Sequence, residues 1–159
     1  EAARRVTAVS KIYESLYSGE DLQYVRITPL LQTIVRELKT GIPDEEFRVE
    51  TRLEEFAVSR RTSVAFGLVL NELFTNALKY ARTSDSSTTI SIELARRGGD
   101  GFTVTVRDDG PGFAPAVLDG TKQGFGLMVV NALVSQEGGD LTIENDGGAV
   151  ITAFFRDRE

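Results

Sequence analysis

Three short segments of the sequence carry side chains that could do chemistry. In the first, residues 71–81, Glu72, Asn76 and Lys79 fall within about 60° of one another on a helix that turns 100° per residue. A carboxylate and an amide oxygen suit Mg²⁺, and an ammonium group one turn on suits phosphate oxygens. The same stripe could equally be an ordinary solvated surface. It indicates a binding site only if it faces a cleft.

The second segment starts with an aspartate that ends a strand pattern. Asp108 continues the alternation of Phe102, Val104 and Val106, so its carboxylate is predicted to point toward the core. A buried carboxylate is costly unless a donor satisfies it, and the exocyclic amine of a purine is such a donor. Asp109 has the opposite parity and is predicted to face solvent. The alternative is a plain charged turn, since Asp-Gly-Pro-Gly is also good turn chemistry.

The third segment places glycines before a helical pattern. Gly124 and Gly126 precede Leu127, and backbone N–H groups at such a helix start can approach an anion. Lys122 and Gln123 could add phosphate donors, or they could be plain surface residues. A dinucleotide-binding fingerprint needs a third glycine at a fixed spacing, and a P-loop needs a Gly-Lys pair; neither occurs here.

Composition restricts the chemistry further. The chain has 159 residues, which fits one domain, and 41% of them are hydrophobic. It has no Cys and no His, which excludes disulfides, thiol nucleophiles, Ser-His-Asp chemistry and a phosphohistidine on this chain. The net charge of −6 argues against a general nucleic-acid or anionic-membrane binder.

The apolar runs and the first residues of the sequence lead to expectations about membrane contact, location and a longer protein. No apolar run approaches the ~18 residues that span a bilayer, so we expect a cytoplasmic chain without membrane contact. The sequence starts without Met and within a helical pattern, so we expect a fragment of a longer protein.

Hydrophobic periodicity predicts the elements that would position the three segments. Helices are predicted over 2–17, from Thr28 and Pro29 to about residue 40, over 63–81 and over 125–137, and strands at 47–54, 90–94, 102–106 and 141–143. A last strand is predicted from the alternation of Val150, Thr152 and Phe154. Residues 18–27 and 83–89 are predicted as connections. This order predicts an α+β fold with a mixed, mainly antiparallel sheet and helices on one face.

The order of the three segments resembles the ATP-binding superfamily of gyrase, Hsp90, histidine kinases and MutL. Its N box corresponds to residues 71–81, its first glycine box to residues 108–112 and its second to residues 124–127. The similarity covers about residues 28–156. It implies a Bergerat-type ATP-binding fold, a two-layer α/β sandwich.

Within that superfamily, the N box looks most like sensor histidine kinases of the second histidine-kinase-A type. Residues 5–17 are similar to the end of that subfamily's dimerisation and phosphoacceptor region. The resemblance thus implies a helical part at 1–22 and an ATP-binding catalytic domain at 23–159. Tyr80 stands where the subfamily usually has His, although Tyr is common there in other histidine kinases. The related subfamily named for His-Trp-Glu signatures is disfavoured, because the chain lacks Trp and His.

The resemblance also implies roles for individual residues. Glu72 would orient the attacking nucleophile or accept its proton, and would hold Mg²⁺ together with Asn76. Lys79 would contact phosphate, and Asp108 would bind the adenine amine. The other implied ATP-binding residues are Tyr80, Gly110, Gly112, Lys122, Gln123, Gly124, Phe125, Gly126 and Leu127. The short stretch 113–123 between the glycine boxes implies a small nucleotide lid.

The implied reaction is transfer of the ATP γ-phosphoryl group to a histidine outside this chain, and from there to a response regulator. The implied partners are the phosphoacceptor helix of the same kinase, the regulator, and a second copy in a full-length homodimer. Three alternatives stay open. One is an anti-sigma-factor-like serine kinase that sequesters a partner and lacks the first helix. The others are a MutL- or gyrase-type hydrolase, in which Glu72 would activate water, and a nucleotide-binding module without catalysis.

Overall fold

The computed structural model describes residues 10, 11, 14, 23–83 and 86–157. The helix predicted over 2–17 and the predicted boundary after residue 22 lie almost wholly outside these residues. The elements, in chain order, are β1 Tyr24–Arg26, α1 Ile27–Lys39, β2 Phe47–Leu53, β3 Ala57–Ser59, α2 Arg60–Tyr80, β4 Thr88–Arg97, β5 Gly101–Asp108, α3 Pro115–Leu118, α4 Phe125–Gln136, β6 Asp140–Asn145 and β7 Ala149–Arg156.

Five of the strands form one sheet, in the order β2-β4-β5-β7-β6. Strand β2 runs parallel to β4, and the other neighbours are antiparallel. Helices α2 and α4 contact this sheet, and α1 packs on α2. The predicted α+β class, with a mixed and mainly antiparallel sheet covered by helices, is confirmed.

Helices α1 and α2 follow their predicted patterns closely. In α1, Leu31 and Ile34 belong to the buried face, and the helix ends shortly before Gly41, whose φ of +80° suits glycine. Helix α2 begins three residues earlier than predicted, because the Ser59 hydroxyl accepts a hydrogen bond from the Thr62 N–H at 3.2 Å and caps its first turn. No helix within the described ranges is long and apolar enough to cross a membrane.

An aromatic cluster fills the core at the start of β5. The rings of Phe102 and Phe155 stack with centroids 5.0 Å apart, and Phe66 of α2 meets both edge-on at 5.9 and 6.0 Å. All three side chains are fully buried. Such rings bury large apolar areas and favour these offset or tilted arrangements. The cluster therefore fixes α2 against β5 and β7 at the end of β5 away from Asp108.

The core face of β7 is not the one that carries Thr152 and Phe154, whose alternation with Val150 predicted the strand. In β7 the core side carries Ile151, Ala153 and Phe155, whereas Thr152 and Phe154 point to the opposite face and are only half-buried. Register explains the difference, because each core residue of β7 lies directly opposite a core residue of β5, as Phe155 does opposite Phe102. Residues directly opposite in an antiparallel pair share a face of the sheet.

Three short elements were not predicted from the sequence. Strands β1 and β3 pair with each other in a separate two-stranded sheet, and α3 lies inside the stretch 113–123 that was predicted as a lid. Each has only three or four residues. That is too short for an alternating or helical period to be visible in the sequence.

The core face of β7 can be tested with two neighbouring phenylalanines. We expect Phe155→Ala to lower the free energy of unfolding by about 3–5 kcal/mol, because it empties the aromatic cluster. Phe154→Ala should cost no more than about 1–2 kcal/mol, since that ring lies half-exposed on the other face. Urea unfolding followed by circular dichroism measures both. Equal losses would contradict the register described here.

Candidate functional site

A cavity of about 560 Å³ lies between the C-terminal half of α2, the end of β5 and the start of α4. This volume is in the range of pockets that hold small organic ligands. Its walls include ten of the predicted site residues: Asn76, Lys79, Tyr80, Asp108, Gly112, Lys122, Gly124, Phe125, Gly126 and Leu127. Glu72, Gly110 and Gln123 are not among the lining residues. The three predicted segments therefore meet around one cavity.

Asp108 forms part of the wall at the end of β5. The residue is 8% exposed, as its predicted inward phase requires. Its Oδ1 accepts hydrogen bonds from the backbone N–H groups of Gly110 at 3.0 Å and Ala149 at 3.1 Å. Within the described ranges, no donor bonds to Oδ2. The carboxylate is thus held through one oxygen and offers the other as an acceptor.

Asp109 lies on the opposite side of the chain and has a structural role. It is exposed, as predicted, and its Oδ1 accepts the Thr89 N–H at 2.8 Å. The Asp109 N–H in turn donates to the Thr89 carbonyl at 3.3 Å. These contacts tie the end of β5 to the start of β4. Asp109 is therefore a neighbour of Asp108 with the same side chain that does not line the cavity.

Two glycines give the segment after β5 its path. At Gly110, an added Cβ would lie 2.6 Å from the Ala81 Cα and 2.7 Å from the Ala81 carbonyl oxygen. Only a residue without a side chain lets the segment lie this close to the end of α2. Gly112 has a φ of +80°, which most side chains disfavour. These two positions explain why the segment can turn directly beneath the cavity.

The polar stripe of α2 lies beside the start of α4. An ideal Cβ on Gly126 would be 2.9 Å from Glu72 Oε2 and 3.8 Å from Asn76 Oδ1, which measures how closely the two helices approach. Glu72 and Asn76 are half-buried. Lys79 is exposed at the mouth of the cavity, and its Nζ lies 5.2 Å from the ring centroid of Tyr80. The stripe thus borders a cleft, which Asn76 and Lys79 line and beside which Glu72 lies.

The N-terminus of α4 opens onto the cavity. Gly124 is its N-cap and supplies no side-chain hydrogen bond, so the first backbone N–H groups of this twelve-residue helix have no side-chain cap. Leu127 is buried beneath them, whereas Phe125 is 76% exposed. Such a helix start favours negative charge, and phosphate groups in particular.

The stretch 113–123 closes the remaining side of the cavity. It contains α3, and the Lys122 N–H donates to the Ala116 carbonyl at 2.9 Å, so that the stretch folds back on itself. Hydrogen bonds from the side chain and the backbone of Thr121 hold the pKa of the exposed Asp119 carboxyl below its usual value. Lys122 reaches the cavity from this stretch, whereas Gln123 is exposed and does not line it.

Sequence reasoning missed the contribution of the turn between β6 and β7. Ala149 donates to Asp108, and Asn145 makes two hydrogen bonds to the backbone of Phe113, which is itself a lining residue. The run from Asn145 to Gly148 has the composition of an ordinary turn, and only the pairing of β7 with β5 brings it to the cavity.

The carboxylates of the described residues do not cluster. Within these ranges, no group of three or more acidic side chains is placed to hold a metal ion. A Mg²⁺ that keeps several waters and binds phosphate oxygens needs only one or two protein ligands. The Glu72 and Asn76 oxygens are of the type that such an ion prefers.

Comparison with known proteins relates this arrangement to a family. The family model described as "Histidine kinase-, DNA gyrase B-, and HSP90-like ATPase" matches residues 61–159. Blue-light-activated histidine kinase 2 of Erythrobacter litoralis is 27% identical over 154 residues, which are 94% of this chain and 44% of that protein. Sensor histidine kinase DcuS of Escherichia coli is 30% identical over 142 residues, which are 82% of this chain and 23% of that protein. The chain spans less than half the length of these relatives.

Solved structures have the same fold. The histidine kinase domain of the Erythrobacter litoralis EL346 blue-light activated histidine kinase superposes with a TM-score of 0.79 at 24% identity, over 96% of this chain and 73% of that one. The mycobacterial sensor histidine kinase MprB gives a TM-score of 0.70 at 20% identity, over 85% of this chain and 97% of that one. At these identities the likeness shows the fold, and it agrees with the fold predicted from the three segments.

The close approach at Gly110 leads to a stability prediction. We expect Gly110→Ala to lower the free energy of unfolding by about 1–3 kcal/mol, because its Cβ would overlap the backbone of Ala81. Gly99→Ala is the control, since an added Cβ there meets no atom within 4 Å, and its cost should stay within about 0.5 kcal/mol. Thermal or urea unfolding measures the two. A Gly110→Ala protein as stable as Gly99→Ala would show that the segment can move away from α2.

Proposed function

The chain belongs to the histidine kinase-, DNA gyrase B- and HSP90-like ATPase family and is the catalytic ATP-binding domain of a sensor histidine kinase; on this basis we propose a role for each part of its cavity. The cavity binds ATP with Mg²⁺ and presents the γ-phosphoryl group to a histidine that this chain does not contain. One observation carries the proposal. A buried carboxylate, an oxygen-bearing helix stripe and an open helix N-terminus line or border the same 560 Å³ cavity.

Asp108 selects the base in this proposal. Its Oδ2 accepts the exocyclic amine of adenine, while Oδ1 stays bonded to Gly110 and Ala149. A guanine presents a carbonyl oxygen at the corresponding position, and two acceptors then face each other. The buried setting makes that mismatch costly, since an unsatisfied buried polar group costs about 1–3 kcal/mol. Tyr80, Gly112 and Leu127 supply further walls.

The phosphates lie at the start of α4. Its free N–H groups and partial positive charge favour an anion, and Gly124 and Gly126 leave the backbone accessible. Lys79 from α2 and Lys122 from the opposite wall bring two ammonium groups to the cavity. Gln123, which follows Lys122 on the exposed stretch, would reach the phosphates only if this stretch closes.

Asn76 and Glu72 are the residues that would hold Mg²⁺. Both carry oxygen donors, both are half-buried, and both lie beside the same glycine of α4. When bound, Mg²⁺ neutralises part of the charge on the phosphate oxygens. An amide and a carboxylate would be sufficient on the protein side, because Mg²⁺ keeps several waters and needs few protein ligands.

The transfer itself is a displacement at the γ-phosphorus. The imidazole nitrogen of the acceptor histidine forms a bond to phosphorus as the bond to the β,γ-bridging oxygen breaks, which leaves ADP. Glu72 orients the imidazole or takes its proton. Such transfers depend mainly on positioning and charge stabilisation, so a small set of fixed groups is sufficient.

The partners of the complete kinase follow from the same proposal. The acceptor histidine lies on a dimerisation helix, to which residues 1–22 would be the C-terminal end, with the catalytic domain over 23–159. The phosphoryl group then passes to a response regulator. The complete kinase would act as a homodimer, and its catalytic domain would lie in the cytoplasm, where ATP is available.

The role of Asp108 predicts a preference for adenine. We expect calorimetric titration with Mg²⁺ to give much tighter binding for ATP than for GTP. Asp108→Asn should weaken ATP binding by at least about tenfold, because it replaces an acceptor-only group by an amide that can present a donor to the ligand amine. Asp109→Asn is the matched control and should bind ATP like the wild type, since Asp109 does not line the cavity. Equal affinity for ATP and GTP would exclude the proposed role of Asp108.

The absence of histidine from the chain predicts the fate of the phosphoryl group. Residues 1–159 should bind ATP but incorporate no acid-labile phosphate. Adding the histidine-bearing helical hairpin of the same kinase in trans should give weak labelling, because a free fragment lacks the high effective concentration of a tethered one. Asn76→Ala or Glu72→Ala should abolish that labelling. Acid-stable labelling of Ser or Thr would instead support the serine-kinase alternative.

A further inference from the structure

The turn between β6 and β7 lies against the segment that follows β5, and one side chain of the turn connects the two. We propose that Asn145 is a positioning residue of the nucleotide site, which holds the wall formed by Gly112 and Phe113 in place. This inference rests on the proposed nucleotide-binding function. Asn145 is exposed and does not line the cavity, so it would act through the wall and without contacting the nucleotide.

The contact consists of two hydrogen bonds to a single residue. Asn145 Oδ1 accepts the Phe113 N–H at 2.8 Å, and Asn145 Nδ2 donates to the Phe113 carbonyl at 2.9 Å. Both distances are in the ordinary range for such bonds. A carboxamide has a donor and an acceptor side by side, and here it pairs with a backbone residue as a neighbouring strand would. The pair fixes Phe113 in position and in orientation.

Gly112 shows how closely the turn and the wall fit. An ideal Cβ at this position would lie 2.7 Å from Asn145 Oδ1 and 2.9 Å from its Cγ, and the φ of +80° is itself a glycine conformation. The amide of Asn145 therefore occupies the space beside Gly112 that a side chain would need. The wall is set by this fit as well as by the hydrogen bonds.

The turn that carries Asn145 is itself firmly held. Asn145 is paired with Ala149 in the β6–β7 ladder, and Ala149 donates to Asp108. The Asp146 N–H donates to the Gly148 carbonyl at 2.9 Å, and Arg107 Nη1 donates to the Asp146 carbonyl at 3.1 Å and to its carboxylate at 2.9 Å. The same hairpin thus fixes both Asp108 and Phe113. It therefore fixes the positions of Asp108 and of the Gly112–Phe113 wall relative to each other.

Three variants distinguish the two Asn145–Phe113 hydrogen bonds, called the clamp below, from the rest of the turn. Asn145→Ala removes both hydrogen bonds. Asn145→Asp keeps the shape and the acceptor but loses the donor. Asp146→Ala is the matched control, because it sits on the same exposed turn and loses a bond to Arg107 while leaving the Phe113 contact intact. Each variant would be titrated with Mg²⁺-ATP and Mg²⁺-ADP by calorimetry. Exchange of the Phe113 amide hydrogen would be measured without nucleotide.

We expect Asn145→Ala to weaken ATP and ADP binding by about tenfold each, which is within the worth of two hydrogen bonds. The equal loss follows because the clamp acts on the wall and not on the γ-phosphate. Asn145→Asp should also weaken binding, because its second carboxylate oxygen would face the Phe113 carbonyl, acceptor against acceptor. Asp146→Ala should bind like the wild type. The Phe113 amide should exchange at least about tenfold faster in Asn145→Ala than in Asp146→Ala, since only the former loses its acceptor.

Each result decides a separate question. Unchanged affinity in Asn145→Ala, or equal losses in Asn145→Ala and Asp146→Ala, would overturn the positioning role. If Asn145→Ala does not fold, Asn145→Asp is judged by the same criterion against Asp146→Ala. A wild-type chain that binds neither nucleotide would reject the proposed function instead. In that case the Phe113 exchange rates still show whether Asn145 holds the wall, and unchanged rates would reject the clamp as well.

Discussion

The burial of the Asp108 carboxylate at the end of β5 is the constraint around which the site is organised. A buried carboxylate is costly unless donors satisfy it. The two N–H groups that bond to its Oδ1 come from different parts of the chain, namely Gly110 just after β5 and Ala149 at the start of β7. Both must be in place at once. Satisfying Oδ1 of Asp108 therefore brings the segment 108–112 and the β6–β7 turn together at the end of β5.

The same requirement links the cavity to the core. Ala149 can reach Asp108 only because β7 pairs with β5 in the register that sets Phe155 opposite Phe102. Those two rings stack in the fully buried cluster at the other end of the strands. A slip of one residue would turn every side chain of β7 to the other face. The aromatic cluster and the Asp108 site thus depend on the same alignment of β5 and β7, at opposite ends of the two strands.

Local patterns made much of the site predictable from the sequence. The inward phase of Asp108 and the stripe of Glu72, Asn76 and Lys79 depend only on strand and helix periods, and the structure has both features. The core face of β7 could not be predicted in this way, because both of its faces carry apolar residues and alternation does not choose between Phe154 and Phe155. The contacts of Asn145 and Ala149 depend on pairing across the sheet, which no local pattern contains.

Strand β2 runs parallel to its neighbour β4 in the sheet. Parallel neighbours cannot be joined by a tight hairpin; they need a long crossover, which here includes α2. The helix that carries Glu72 and Asn76 is therefore also the connector between two strands of the sheet. Non-local pairings of this kind slow folding, because the loop entropy is lost before the contacts form. The position of Glu72 and Asn76 therefore depends on the pairing of two strands that lie on either side of α2 in the chain.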